Sequence, residues 1–109
     1  MCIRDSKGVA KKILHTNEIK EFNKKAKDQS VFLAKKFAFK EAFVKALGTG
    51  FREPYYLDRI EIIKDKLGKP SVVTHGEAKE EFKNLGITKA HVSLSDTENY
   101  VVAFVVLER

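Results

Sequence analysis

The chain has 109 residues, 43% of them hydrophobic and 33% charged, a balance that fits one small globular domain and excludes a disordered tail. Its 21 basic against 15 acidic residues give a net charge of +6, which favours an acidic partner or an anionic ligand and leaves nucleic acid, a phosphate-rich cofactor and an acidic protein all open. A single cysteine excludes an internal disulfide framework and Cys-rich zinc sites and fits a reducing, cytoplasmic compartment, and no apolar run approaches the length that spans a bilayer.

Residues 1–6, from Met1 through Cys2 and Asp5 to Ser6, show no periodicity continuous with the segment after them. They resemble a translated sequencing-adapter scar and are read as a non-native tail, with residues 7–109 as one domain. Val9, Ile13 and Leu14 indicate a short lead-in, helical or extended. Thr16 and Asn17 then offer an N-cap, Glu18 and Glu21 put acid in the first turn, and Ile19, Phe22 and Ala26 form one apolar stripe, so a helix is expected over 18–27.

The next helix, over 30–47, is the most informative. Phe37, Phe39, Phe43, Val44 and Leu47, with Ala34, Ala38, Ala42 and Ala46, spread apolar side chains around most of its circumference, which predicts a buried helix. Gly48 lies where a left-handed C-cap is expected. Residues 59–64 read as a strand, 65–70 as a hairpin loop containing Gly68, and 71–74 as the returning strand. Thr74 and Glu77 have capping-box spacing ahead of a helix marked by Ala78, Phe82 and Leu85 and closed by Gly86. Residues 90–95 alternate as a half-buried strand, and 100–107 are apolar enough to predict a strand buried on both faces. The whole is an α+β fold, with helices interrupting an antiparallel sheet.

Within the buried helix, Glu41 and Lys45 are spaced i, i+4 and share a face with Ala34 and Ala38. On an exposed helix this is an ordinary salt bridge; in an apolar one the carboxylate needs a cation, and Mg²⁺ serves as well as lysine. Gly48-Thr49-Gly50 is either a cap and turn or a loop that brings backbone N–H groups to a phosphate, and it is not a Walker loop because no Gly-Lys-Ser/Thr comes after it. Lys24, Lys25, Lys27, Lys35, Lys36 and Lys40 crowd the same region, as solvated surface or as an anion site. The aromatics fall on core-type positions rather than interleaving with basic residues, which argues against nucleic-acid binding. His91, Ser93 and Ser95 share a strand face with no nucleophile elbow or orienting acid, so a Ser/His hydrolase is disfavoured. The spacings of His15, His75 and His91 argue against zinc.

Three blocks taken together carry a resemblance: Phe37-Ala38-Phe39-Lys40-Glu41-Ala42-Phe43-Val44-Lys45-Ala46-Leu47-Gly48-Thr49-Gly50, then Gly68-Lys69-Pro70, then His91-Val92-Ser93-Leu94-Ser95-Asp96-Thr97 with Tyr100 and Ala103. In order and spacing they resemble holo-(acyl-carrier-protein) synthase, the small bacterial class of phosphopantetheinyl transferase. The resemblance implies that fold, and transfer of the phosphopantetheine arm of coenzyme A to a serine of apo-acyl carrier protein, for fatty acid biosynthesis. It implies a homotrimer with sites shared between neighbours, and neither nucleic acid nor membrane as partner. It further implies Glu41 as a Mg²⁺ ligand and Lys45 as a residue facing the diphosphate or handling the serine proton. Lys27 and Lys36 would contact the nucleotide phosphates. Gly48, Thr49 and Gly50 would border the coenzyme, Lys69 and Pro70 would lie near its adenine end, and Asp96 and Thr97 would close the site.

Two departures accompany the resemblance. Family members begin with a strand bearing a Gly-x-Asp motif, whose aspartate is the second protein ligand to Mg²⁺, followed by a basic helix that grips the carrier protein; here the one acid ahead of Glu18 is Asp5, inside the tail. The domain is therefore read as lacking its first strand, and its activity as reduced. Asp96 also stands where histidine is frequent. The competing readings are a non-catalytic carrier-protein-binding module, which needs neither Mg²⁺ nor coenzyme A, and a basic nucleic-acid-binding domain.

Overall fold

The structure is a computed structural model that describes residues 6–25, 27–96 and 100–109, with the side chains of residues 6, 7, 9 and 96 outside the description. Three helices come first: α1 (Ser6–Ile13), α2 (Thr16–Lys24) and α3 (Gln29–Leu47). A 3-10 turn (Leu57–Arg59) leads into the hairpin β1 (Ile60–Lys64) and β2 (Pro70–Thr74). Helix α4 (Glu77–Asn84) connects this hairpin to a second, β3 (Lys89–Asp96) and β4 (Val101–Glu108). The α+β class stands. Among the described residues the strands form two two-stranded antiparallel sheets, β1 with β2 and β3 with β4, in place of one continuous sheet. Among the described residues no helix is long and apolar enough to cross a membrane.

Local signals account for most boundaries, and where they fail a specific competitor is visible. Helix α2 is capped by His15 rather than by Thr16 or Asn17. The His15 Nδ1 accepts the Asn17 N–H at 3.2 Å and Glu18 Oε1 accepts the His15 N–H at 2.9 Å, a reciprocal arrangement that a neutral imidazole can make as well as a serine. Gly48 adopts φ +81° and closes α3 with its N–H on Lys45 O, the left-handed cap the sequence predicts. In the β1–β2 turn, Asp65 Oδ1 accepts from both Leu67 N and Lys69 N. The Thr74–Glu77 capping box does not form: Thr74 is the last residue of β2, paired with Ile60 and buried, and Gly76 takes the N-cap position with no side-chain cap.

Helix α3 is the axis on which both hydrophobic clusters assemble. Its N-terminal half contributes Phe32 and Leu33 to a cluster with Ala10, Ile13, Leu14 and Phe22. Its C-terminal half contributes Phe39, Phe43 and Val44 to a second cluster with Tyr55, Ile60, Ile62 and Ala78, against which Val92, Leu94, Ala103 and Val105 pack. The recurrence of buried positions at 32, 36, 39, 40, 43 and 44 is the three-four spacing of a single helix face. The opposite side of the C-terminal half, with Glu41, Lys45 and Ala46, is only partly covered or exposed, so the expectation of a helix buried on most sides holds for one face and not for the other.

Strand β4 departs from its expectation in the same way. Val101, Ala103, Val105 and Leu107 face inward, while Val102, Phe104 and Val106 face out and Phe104 keeps 63% of its surface exposed. Packing of α3 covers one side of the strand and nothing within the described chain covers the other.

Candidate functional site

The polar interior lies where the two clusters meet along α3. Lys36 and Lys40, one turn apart, project into that seam and are buried there with Glu18. The Lys40 Nζ donates to Glu18 Oε1 at 2.6 Å, to Ile13 O at 2.6 Å and to Leu57 O at 2.9 Å. Three acceptors match the three protons of an ammonium, which is the condition for tolerating a charge out of water. Lys36 Nζ donates to Ile62 O at 3.1 Å and lies 3.8 Å from Glu18 Oε2, which itself accepts the Ile62 N–H at 2.8 Å. Glu18 and Lys36 thereby satisfy both main-chain groups of Ile62. Burial pushes both lysines below the ordinary lysine range, and the attraction of Glu18 opposes that push.

A second buried carboxylate, Glu61, sits beside this network. Its Oε1 is 2.9 Å from His75 Nε2, 3.3 Å from Asn17 Nδ2 and 3.8 Å from His15 Nδ1. Burial by itself raises its pKa, but the hydrogen bonds from His75 and Asn17 and the two imidazoles outweigh it and hold the carboxyl below the ordinary range. The His15 and His75 rings stack at 3.9 Å and 13°, and burial, then His75, lowers the His15 pKa. A cleft of about 490 Å³ opens beside these groups, lined in part by Asn17, Glu18, Lys36, Glu61, Lys64 and Pro70.

The residues singled out from the sequence do not gather in one place. Lys36 and Pro70 reach the cleft, although the Lys36 ammonium is engaged by Ile62 O and Glu18. Glu41 and Lys45 lie elsewhere: they face one another at 3.4 Å, with 44% and 73% of their side chains exposed. Glu41 is thus not the buried carboxylate that the apolar pattern predicts, because the alanines around it leave that side of α3 without cover. Gly48, Thr49 and Gly50 continue from the same open end, with Gly48 and Gly50 exposed and the Thr49 hydroxyl donating to Gly50 O at 2.9 Å. Lys27 is exposed ahead of α3, and Lys69 is exposed at the β1–β2 turn. Asp96 ends β3 with its side chain outside the described residues, and Thr97 lies outside them altogether.

Sequence reasoning passed over Glu61 and the meeting of His15 with His75, read Glu18 only as a first-turn acid, and grouped Lys36 and Lys40 with lysines that are solvated or bind an anion, whereas both are buried against oxygens of the fold itself. A signal for the lysines exists: Lys36 and Lys40 fall on the same helical face as Phe32, Phe39 and Phe43, so their ammonium groups must find oxygens inside the fold. For the histidines spacing is no guide to one pair: the fold stacks His15, at the cap of α2, on His75, just after β2, while His91 lies against Glu108.

Comparison with known proteins agrees with this architecture. The family model of the 4'-phosphopantetheinyl transferase superfamily, ACPS, matches residues 2–105. A holo-[acyl-carrier-protein] synthase of Dechloromonas aromatica is 49% identical over 100 residues, covering 92% of this chain and 78% of the relative. The crystal structure of holo-[acyl-carrier-protein] synthase from Neisseria meningitidis superimposes with a TM-score of 0.89 at 39% identity, over 97% of this chain and 84% of that one. A Helicobacter pylori holo-[acyl-carrier-protein] synthase, solved in complex with coenzyme A, does so with a TM-score of 0.76 at 27% identity, over 93% and 82%. The chain belongs to the 4'-phosphopantetheinyl transferase superfamily. Within that class it is a phosphopantetheinyl transferase of the holo-[acyl-carrier-protein] synthase family.

The titrating groups of the polar interior set a pH dependence of stability. A lowered His15 pKa means that the unfolded chain binds the extra proton first, so its contribution is complete above the ordinary value of 6.5 and is lost as the pH falls below it. Glu61 acts in the same direction below its ordinary 4.5. Urea unfolding at pH 7.5, 6, 5 and 4 is expected to give a free energy that declines over that range, and His15→Thr, which retains a capping oxygen, is expected to flatten the upper part of the decline. A profile with no slope between pH 7.5 and 4 would contradict the assignment.

Proposed function

We propose that the intact domain transfers the phosphopantetheine arm of coenzyme A to a serine of apo-acyl carrier protein, as a Mg²⁺-dependent step supplying fatty acid biosynthesis. The observation that carries this reading is the open C-terminal half of α3. There a carboxylate, a lysine one turn later and the Gly48-Thr49-Gly50 turn occupy one accessible end of the helix, in a chain whose relatives include synthases solved with coenzyme A. The incoming serine Oγ forms a bond to phosphorus, the bond from that phosphorus to 3',5'-ADP breaks, and the serine proton passes to a base.

The donor set of the open face is compatible with magnesium. Glu41 offers a hard, half-exposed oxygen whose ion-pair partner is Lys45, and magnesium is ordinarily held by one or two carboxylates together with waters and substrate phosphates. The bound ion would supply neutralisation of charge on the diphosphate. Glu41 would hold that ion, Lys45 would face the diphosphate or take part in handling the serine proton, and Gly48, Thr49 and Gly50 would border the coenzyme, with Lys27, Lys69 and Pro70 farther along its path; the Lys36 ammonium, held by Ile62 O and Glu18, is not free to join them. Exposure of Glu41 favours a site completed by a second subunit. The outward face of β4, with Val102, Phe104 and Val106 bare, supports the homotrimer as the assembled form. The net charge of +6 suits an acidic carrier protein, whose capture weakens with salt.

Mass spectrometry of apo-carrier protein incubated with coenzyme A, Mg²⁺ and the enzyme measures the transfer directly. Glu41→Gln is expected to lower kcat/KM by about 10²-fold or more, whereas Glu53→Gln, on an exposed loop, leaves it unchanged; equal rates for wild type and Glu41→Gln would remove Glu41 from the site. Phe104→Glu is expected to convert a sedimenting trimer to monomer with its circular dichroism retained, and a wild-type chain that sediments as a monomer at all concentrations would contradict the assembly.

A further inference from the structure

We propose that His15, Glu61 and His75 constitute a binding site for one divalent cation of the zinc class, separate from the open face that carries Glu41. The three side chains come from three segments separated in sequence: the corner between α1 and α2, the second residue of β1, and the residue after β2. Each offers one ligand atom, and the three atoms lie within 4.8 Å of one another. Glu61 Oε1 is the hub, 2.9 Å from His75 Nε2 and 3.8 Å from His15 Nδ1. Ligands placed 2.0–2.1 Å from a tetrahedral ion are separated by about 3.3 Å, so the observed distances bracket those that an ion would impose.

The donor chemistry selects the ion. Two imidazole nitrogens and one carboxylate oxygen form a set that zinc and its neighbours in the first transition row accept, while magnesium and calcium favour oxygen alone. With three protein ligands, a fourth tetrahedral position is left for water, and the partial exposure of His15 and His75, 18% and 32% of their side chains, gives an ion and its water a way in. The surroundings already orient the ligands. Asn17 Nδ2 donates to Glu61 Oε1 at 3.3 Å, and the His75 main-chain N–H is held by Arg59 O at 2.9 Å. Such outer contacts fix ligand orientation in established metal sites.

Binding has three structural costs. The His15 Nδ1 must release the Asn17 N–H that it accepts as the cap of α2, the hydrogen bond between His75 Nε2 and Glu61 Oε1 must give way, with the ring proton carried on Nδ1, and the stacked rings must splay so that each nitrogen lone pair points at a common centre. None of these changes disturbs Lys40, whose acceptors are Glu18, Ile13 O and Leu57 O. In return the ion joins the first turn of α2 to both strands of the first hairpin, and the folded state is stabilised by mass action.

Titration of the protein with ZnCl₂ against a chromophoric zinc chelator tests the site. One equivalent is expected to bind, thermal unfolding is expected to shift upward with ZnCl₂ and not with MgCl₂, and cobalt substitution is expected to give visible bands of a tetrahedral nitrogen–oxygen centre. His75→Ala and His15→Thr, the latter preserving a capping oxygen, are each expected to weaken binding by at least about tenfold, while His91→Ala does not. If either variant fails to fold, the cobalt spectrum and stoichiometry of the wild-type protein decide the matter. Absence of saturable binding, or binding undiminished in folded His75→Ala and His15→Thr, would overturn the proposal. These readouts are independent of arm transfer, so a failure here leaves the catalytic reading standing, and a failure there leaves this one.

Discussion

The ion pair between Lys40 and Glu18 is the contact on which the arrangement of the other elements rests. It sits at the boundary between two hydrophobic clusters that share α3, and its ammonium also holds the C-terminus of α1 through Ile13 O and the approach to β1 through Leu57 O. Four segments therefore meet at one fully buried nitrogen. An apolar side chain would fill the same volume but would not specify which carbonyls approach it. The network fixes the rotation of α3 about its own axis, because only one face of the helix can deliver both Lys36 and Lys40 to the seam.

That rotation decides what the other face presents. With Phe39, Lys40 and Phe43 committed inward, Glu41 and Lys45 turn toward the open side, and Gly48 ends the helix there. That charged face is open within the described chain, and β4 offers an uncovered apolar face packed on the same helix. An open charged face and a bare apolar strand are the two features on which the proposed closure of the site by a neighbouring copy rests. The His15–Glu61–His75 group arises from the same pin by another route, since Glu18 caps His15 and bonds Ile62, the residue next to Glu61.

Much of the fold was legible because its signals are local. Helix α3 begins within a residue of its expected start and ends at Leu47 before a left-handed Gly48, and both hairpins lie where alternation and turn residues put them. The failures arise where two local preferences compete for one residue or where the answer lies across the fold. Thr74 could cap α4 or pair with Ile60, and pairing prevailed. His15 displaced Thr16 as a cap through a nitrogen acceptor that capping rules seldom count. Glu41 was expected to be buried on the strength of its alanine neighbours, but burial depends on what lies opposite, and small residues on an uncovered side bury nothing. Glu18 looked like a first-turn acid, and its role became visible only when Lys40, 22 residues on, arrived beside it.

A double-mutant cycle on Glu18 and Lys40, followed by chemical denaturation, tests the central claim most directly. Glu18→Leu and Lys40→Met are each expected to cost about 3–5 kcal/mol by leaving a buried charge without its partner. The double variant is expected to lose less than the sum of the two by well over about 1 kcal/mol. Additive losses, with no coupling between the two positions, would show that this pair does not organise the fold.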